Sequence, residues 1–293
     1  MLQHANPELI LGERYEVTEV IEPGKYGAAI FVAFGYERST GEPVFMKAKD
    51  HDASGHVPQR VYNEANHLES LDHPQIARVV EADPSSYYPY LVTRRMPGGL
   101  EPYEWLKDNP NHPMAAEICL SALEALRYVH EKGMVHRDVK GTNMSMRWSG
   151  WVALNDFELA LDSQQRRARQ DPEVGDVPED AAVTGDGRIV GTATHISPEQ
   201  LAGREASELS DLYAMGVTLY RLVYGHLPFQ GKTDEVMRQR MCQDINFWPE
   251  GRQAPGQLRL IIEKATQENP GDRYQSAEEM SEDIERYLRS LTG

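Results

Sequence analysis

Cysteine is scarce: Cys119 and Cys242 are the only two in 293 residues. Two thiols make no disulfide framework, and no Cys/His run has zinc-site spacing, so a reducing, cytoplasmic setting is expected. Both sit in apolar, helical-looking stretches and read as small buried side chains. Long apolar runs are missing as well. The longest, AAIFVAF at 28–34, is far too short to span a bilayer. The start, MLQHANPELILGERYE, has neither the basic region nor the apolar core of a signal peptide. Basic charge is in deficit, 30 Lys and Arg against 46 Asp and Glu, for a net −16. That argues against a general nucleic-acid binder, which needs surplus cations for the phosphates. A single nucleotide is not excluded, since one phosphate group needs only a few local cations. No internal repeat is visible.

What is present suits an ordinary soluble protein, 40% apolar and 26% charged. The length allows one large domain or two smaller packed units. Residues 14–50 are strand-rich: RYEVTEVIE, AAIFVAFGYE and EPVFMKAKD, with RSTGE as a hairpin turn between the last two. Over 57–71 the period becomes helical, with Val61, Ala65, Leu68 and Leu71 on one face. YPYLVTRRM (88–96) reads as another strand, and PGG (97–99) marks a boundary.

Beyond it, long helices are expected over 114–132 and 208–224. A last helix opens with a capping box, Ser276 to Glu279, and buries Met280, Ile284, Tyr287 and Leu291. Residues 161–190 carry a basic cluster and then an acidic, Gly- and Pro-containing stretch without period, the composition of a mobile loop.

The strongest chemical signal is VHRDVKGTN (135–143). Asp138 and Asn143 bracket Lys140, and Asp156 follows on the apolar segment WVALND. A carboxylate to orient a hydroxyl, a cation near a transferred phosphoryl, and an Asn plus an Asp for Mg²⁺ are the parts of phosphoryl transfer. Oxygen ligands suit that hard ion. Each residue taken singly is also compatible with a solvated loop; the constellation is what carries the argument.

With these residues the chain resembles the eukaryotic-type serine/threonine protein kinases, closest to their bacterial members, from about residue 14 to 290. The resemblance implies an α+β, bilobal fold. After an N-terminal extension (1–13) come a small antiparallel-sheet lobe with one main helix (14–96) and a larger, mainly helical lobe (97–293), with 161–190 as a long activation-loop insert. It implies ATP and Mg²⁺ as cofactors and protein Ser/Thr hydroxyls as acceptors, while the acidic charge and short apolar runs leave no nucleic acid and no membrane as expected partners.

Lys47 in PVFMK matches the lysine that holds the nucleotide phosphates, and Glu64 its helix partner. Asp138 matches the catalytic base, Lys140 a phosphate contact, and Asn143 and Asp156 the metal ligands. Ile21, Gly24, Gly27, Phe45, Thr93, Ser145 and the backbone of Arg94 and Met96 fall where the family meets the nucleotide. In GTATHISPEQ (191–200), Ser197 replaces the usual Ala. Glu199, Asp211 and Arg273 match structural anchors, the arginine pairing with the glutamate. Lys140 and Thr192 favour Ser/Thr over Tyr as acceptor. Arg137 is the residue that in the family can bind a phosphorylated loop, and Thr184 is a candidate regulatory phosphosite.

Four departures cluster around the nucleotide. Glu22 or Pro23 stands where the first glycine of the phosphate loop belongs. Phe45 replaces a small alanine over the adenine; two positions from Lys47 on a strand, it shares that residue's face. Ser145 replaces a larger apolar residue beneath, which suggests a large-for-small exchange that conserves the slot's volume; the alternative is that Phe45 fills the slot. Arg94 and Arg95 are unusually basic there and read most simply as solvated surface residues.

The fourth departure is Glu158, in NDFE, for glycine. If a left-handed backbone is needed there, a non-Gly residue costs about 1–2 kcal/mol, at most about thirtyfold in rate. Glu158 is therefore expected to tune the loop without abolishing chemistry, its side-chain direction being unreadable from spacing.

Two rivals stay open: a catalytically weak or inactive scaffold of the same fold that responds to nucleotide, and a small-molecule kinase with a related core. The segment at 191–200 and the anchors Asp211 and Arg273 weigh against the second. With neither anchor nor sensor segment apparent, control is expected from another chain or from the long loop.

Overall fold

The computed structural model describes residues 14–21, 30–49, 57–83, 89–95, 101–108, 110–147, 149–163, 165, 194–229, 245 and 254–292. Two compact units emerge: residues 1–99 with 156–158, and residues 100–155 with 159–293.

The first unit is built on a five-stranded antiparallel sheet, β1 (Tyr15–Ile21), β2 (Ile30–Glu37), β3 (Pro43–Lys49), β4 (Val79–Asp83) and β5 (Tyr90–Arg94), in the order β1-β2-β3-β5-β4. The β2–β3 turn closes where Gly41, at φ +69°, donates its N–H to Glu37 O at 2.7 Å. That left-handed conformation explains the glycine in RSTGE. Strand alternation sorts β3: Val44 and Met46 join Tyr15, Ala33 and Val92 in the core, while Phe45 and Lys47 take the other face. One helix, α1 (Val57–Glu69), packs on the sheet and buries Val61, Ala65 and Leu68.

Among the described residues the second unit is mainly helical: α2 (Pro102–Asp108), α3 (His112–Glu131), α4 (Pro198–Leu201), α5 (Glu208–Tyr224), α6 (Gly256–Ala265) and α7 (Ala277–Ser290). A two-stranded ribbon, β6 (Met144–Met146) with β7 (Val152–Leu154), completes it. Its centre is α3, capped by Asn111 and buried along Ile118, Cys119, Ala122, Leu126 and Val129, with α5 and α7 against it. Cys119 is a free, buried thiol, as read; Cys242 lies outside the described residues. No helix among the described residues is long and apolar enough to cross a membrane.

Two details of α7 depart from expectation. Leu291 follows the helix and is 50% exposed. Ser276 caps the helix by accepting from Glu279 N–H, but the Glu279 carboxylate accepts from Gln275 N–H and Lys264 instead of closing the box.

Candidate functional site

Lys47 projects from the middle of β3 and is 4% exposed. Three carboxylates surround its ammonium: Glu64 Oε2 at 2.9 Å, Asp156 Oδ1 at 3.0 Å and Glu158 Oε2 at 2.8 Å. Glu64 comes from α1, and the other two from the 156–158 segment. Burial pushes the Lys47 pKa down, but the three carboxylates outweigh it and hold the ammonium well above its ordinary value. Burial and the two neighbouring acids raise Glu64 despite Lys47.

The side chain that spacing left undecided thus turns onto the lysine. The left-handed residue of the segment is Asp156, at φ +63°, and not Glu158; aspartate is among the few residues that tolerate that region. Phe157 is fully buried, and its carbonyl lies 3.2 Å from Nδ1 of His67 on α1.

Phe45 is half-buried on the Lys47 face, opposite Thr93 of β5, with its ring 5.7 Å from that of Phe34. Thr93 is buried. The two arginines that follow are not simply solvated. Arg94 donates to Glu37 Oε2 at 2.7 Å and pairs with Glu42 at 3.0 Å, while the Arg95 guanidinium lies 3.6 Å over the Phe34 ring. Glu37, buried and also bound by Arg14, supplies the reason: a buried carboxylate draws cations to itself. The Arg94 N–H donates to Arg78 O at 2.8 Å. Ile21 ends β1; Gly24, Gly27, Met96, Thr184 and Thr192 fall outside the described residues.

In the second unit the loop after α3 gathers a separate polar cluster. Lys140 Nζ lies 2.6 Å from Asp138 Oδ2, and Asn143 Nδ2 donates to the same oxygen and to Asp138 O, both at 2.9 Å. No bond among the described residues falls on Asp138 Oδ1. Because Asn143 donates through its nitrogen, its Oδ1 is left as an acceptor. Ser145, the first residue past Met144 on β6, accepts from Asn155 Nδ2 at 3.0 Å.

Asp211, buried on α5, holds this loop from beneath. Its Oδ1 accepts from Arg137 N–H at 2.8 Å, its Oδ2 from His136 N–H at 2.9 Å, and His130 Nε2 lies 2.9 Å from Oδ2. Burial pushes the Asp211 pKa up, yet His130 and His136 hold it below the ordinary value. Arg137 sits at φ +69°, a conformation that costs about 1–2 kcal/mol for a residue with a Cβ. The Asp211 bonds fix that strained link in place.

Tyr103 of α2, which nothing in the sequence singled out, braces the loop's other side. Its hydroxyl accepts from Gly141 N–H at 3.0 Å, lies 3.2 Å from His195 Nε2, and its ring is covered by Arg221 at 3.7 Å. Ser197 N-caps α4 through a reciprocal box with Gln200, which accounts for serine at that position. The same helix presents Glu199 to Arg273.

Comparisons with known proteins add an independent line. The family model described as protein kinase domain matches residues 15–284. The chain is 31% identical over 293 positions to a probable serine/threonine-protein kinase of Corynebacterium efficiens, covering 96% of this chain and 42% of that protein. It is 30% identical over 284 positions to the serine/threonine-protein kinase PknB of Mycolicibacterium smegmatis, covering 94% and 43%. A probable serine/threonine-protein kinase of Clostridium perfringens is 26% identical, covering 94% and 38%. The chain spans less than half the length of these relatives.

Proposed function

The chain belongs to the protein kinase domain family, and from that premise we propose that it transfers the γ-phosphoryl of ATP to Ser or Thr hydroxyls of proteins, itself included. The observation that carries the reading is the cluster in which Lys140 and Asn143 both meet Asp138 Oδ2. It supplies a carboxylate oriented by two donors, with its other oxygen left to take a proton.

In this reading Asp138 accepts the proton of the acceptor hydroxyl as that oxygen bonds to the γ-phosphorus. The bond from the γ-phosphorus to the β,γ-bridging oxygen breaks, and ADP leaves. Lys140 offsets charge on the transferred group, and Lys47, held by Glu64, binds the nucleotide phosphates. The Asn143 amide oxygen and the Asp156 carboxylate are hard oxygen donors of the kind Mg²⁺ takes, so these residues fit that ion, which when bound would neutralise phosphate charge. Phe45, Thr93 and the Arg94 carbonyl, with Ile21, Gly24, Gly27, Met96 and Ser145, are assigned to the nucleotide by their match to the family pattern, and Thr184 to regulatory phosphorylation. A reducing, cytoplasmic setting suits the buried free thiol of Cys119. That the acceptors are proteins rests on the names of the serine/threonine-protein kinases to which the chain is similar.

The test is phosphate incorporation into the protein and a generic acceptor from labelled ATP and Mg²⁺, beside Asp138→Asn. Transfer on Ser or Thr that disappears in the variant is expected. Absence of transfer from the parent chain, with nucleotide binding intact, would replace this reading by a nucleotide-responsive scaffold.

A further inference from the structure

An ammonium has three N–H donors. On Lys47 three carboxylates lie within bonding distance, 2.9 Å from Glu64, 3.0 Å from Asp156 and 2.8 Å from Glu158. A phosphate oxygen that takes Lys47 must therefore displace one of them. Glu64 is fixed within α1 and its side chain is 5% exposed. Asp156 is the most exposed of the three, its side chain at 28%, but the proposed reading gives that carboxylate to the metal, which leaves Glu158 as the acid with no part in binding the phosphates. Glu158 has the shortest of the three contacts and is 11% exposed. It also brings a third carboxylate to a centre with one lysine.

We infer that Glu158 competes with the nucleotide's phosphates for Lys47, so that this residue sets how tightly the phosphates are held. The inference rests on the proposed nucleotide-binding role of Lys47 and deepens it. Binding proceeds from the fraction of molecules in which Glu158 has left the lysine. If that fraction is about one in ten, the apparent affinity for a phosphate-bearing ligand is lowered about tenfold, because a ligand's affinity scales with the population of the competent state. A ligand without phosphate gains nothing from a freed lysine, so its affinity is unaffected. Glu158 is thus a positioning residue that acts through Lys47.

The distinguishing experiment is calorimetric titration of the full chain, with a chelator to remove divalent ions, so that Asp156 is not drawn to a metal. ADP and adenosine are the probes, and the proteins are the parent chain, Glu158→Gln and Glu158→Gly. Both variants are expected to bind ADP about tenfold more tightly and adenosine as the parent does. The glutamine variant keeps the side chain's size while removing its charge, and the glycine variant removes it altogether; a misfolded variant of one kind leaves the other to report. ADP affinity that is unchanged or weaker overturns the inference while leaving nucleotide binding intact. An equal tightening for adenosine also overturns it, since the pocket rather than the lysine would have changed. Failure of every protein, parent included, to bind ADP overturns both the inference and the proposed role of Lys47.

Discussion

Arg273 and Glu199 form a two-pronged ion pair, Nη1 to Oε1 at 2.9 Å and Nη2 to Oε2 at 2.7 Å, with the guanidinium fully buried. The remaining guanidinium donors go to the carbonyls of Gln267, Glu268 and Leu209, and Ser210 donates to Glu199 Oε1. Satisfying every donor is what makes a buried charge tolerable. Removing one partner strands the other, at a cost of about 3–5 kcal/mol. Arg273→Ala should lose stability on that scale in urea denaturation. Arg273→Lys should recover only part, because a point charge cannot make the fork. A loss below about 1 kcal/mol in Arg273→Ala would mean the pair behaves like an exposed one.

The same pair sets an acid dependence. Burial pushes the Glu199 carboxyl up, but bonds from Arg273 and Ser210 prevail and hold it at about 2. Its folded value lies below the ordinary unfolded value of about 4.3, so the stabilisation is present above that pH. It is lost progressively as pH falls toward 2, where the folded carboxylate itself protonates. Urea midpoints of the parent and Glu199→Gln should therefore differ most near pH 6 and converge between about pH 4 and 2. Curves that stay parallel through this range would show that Glu199 is not the group responsible.

Gly141 has a steric reason to be glycine. A Cβ there would come within 2.6 Å of the Tyr103 ring, whose hydroxyl accepts the Gly141 N–H. Gly141→Ala should cost about 1–3 kcal/mol, the range for overpacking, and should displace the loop three residues after Asp138 and two before Asn143. Tyr103→Phe removes the acceptor and should cost about 1–3 kcal/mol through the unpaired N–H. Thermal melts and phosphate transfer measured on both variants check this. A stable Gly141→Ala with parental transfer would show that the ring moves aside freely.

Legibility varied with how local the signal was. The helices of period 3.6 stood out, as did β1 to β3 and the anchors Glu199, Asp211 and Arg273, whose pairing follows a family pattern. β4 was missed because its five residues are all half-buried and show no alternation to read. Tyr103 and His67 were missed because each acts on backbone far away in sequence, a contact that no short motif encodes. Glu158 illustrates the same limit: its identity was plain, but its direction depended on Asp156 taking a left-handed φ, which only the folded backbone reveals. Arg94 and Arg95 looked like surface charges because Glu37 and Phe34, which hold them, lie more than fifty residues earlier.

Phe45 and Ser145 invite the last test. Phe45 occupies the Lys47 face beside Phe34, and Ser145 spends its hydroxyl on Asn155. The large-for-small exchange that the sequence suggests predicts coupling between the two positions. Phe45→Ala alone should loosen the base's packing and weaken nucleotide binding. Ser145→Leu alone should crowd it and leave Asn155 Nδ2 only its longer bond to Ala153 O, at 3.4 Å, so it too should weaken binding. The double variant restores the total volume and should bind better than the two single losses predict, with an interaction energy of about 1–3 kcal/mol. Nucleotide affinities that add within about 0.5 kcal/mol would sink the exchange. Tighter binding in Phe45→Ala would point instead to Phe45 as an obstruction that the base must move aside. Measuring all four proteins with adenosine as well as ADP keeps the base's contribution separate from that of Lys47 and Glu158.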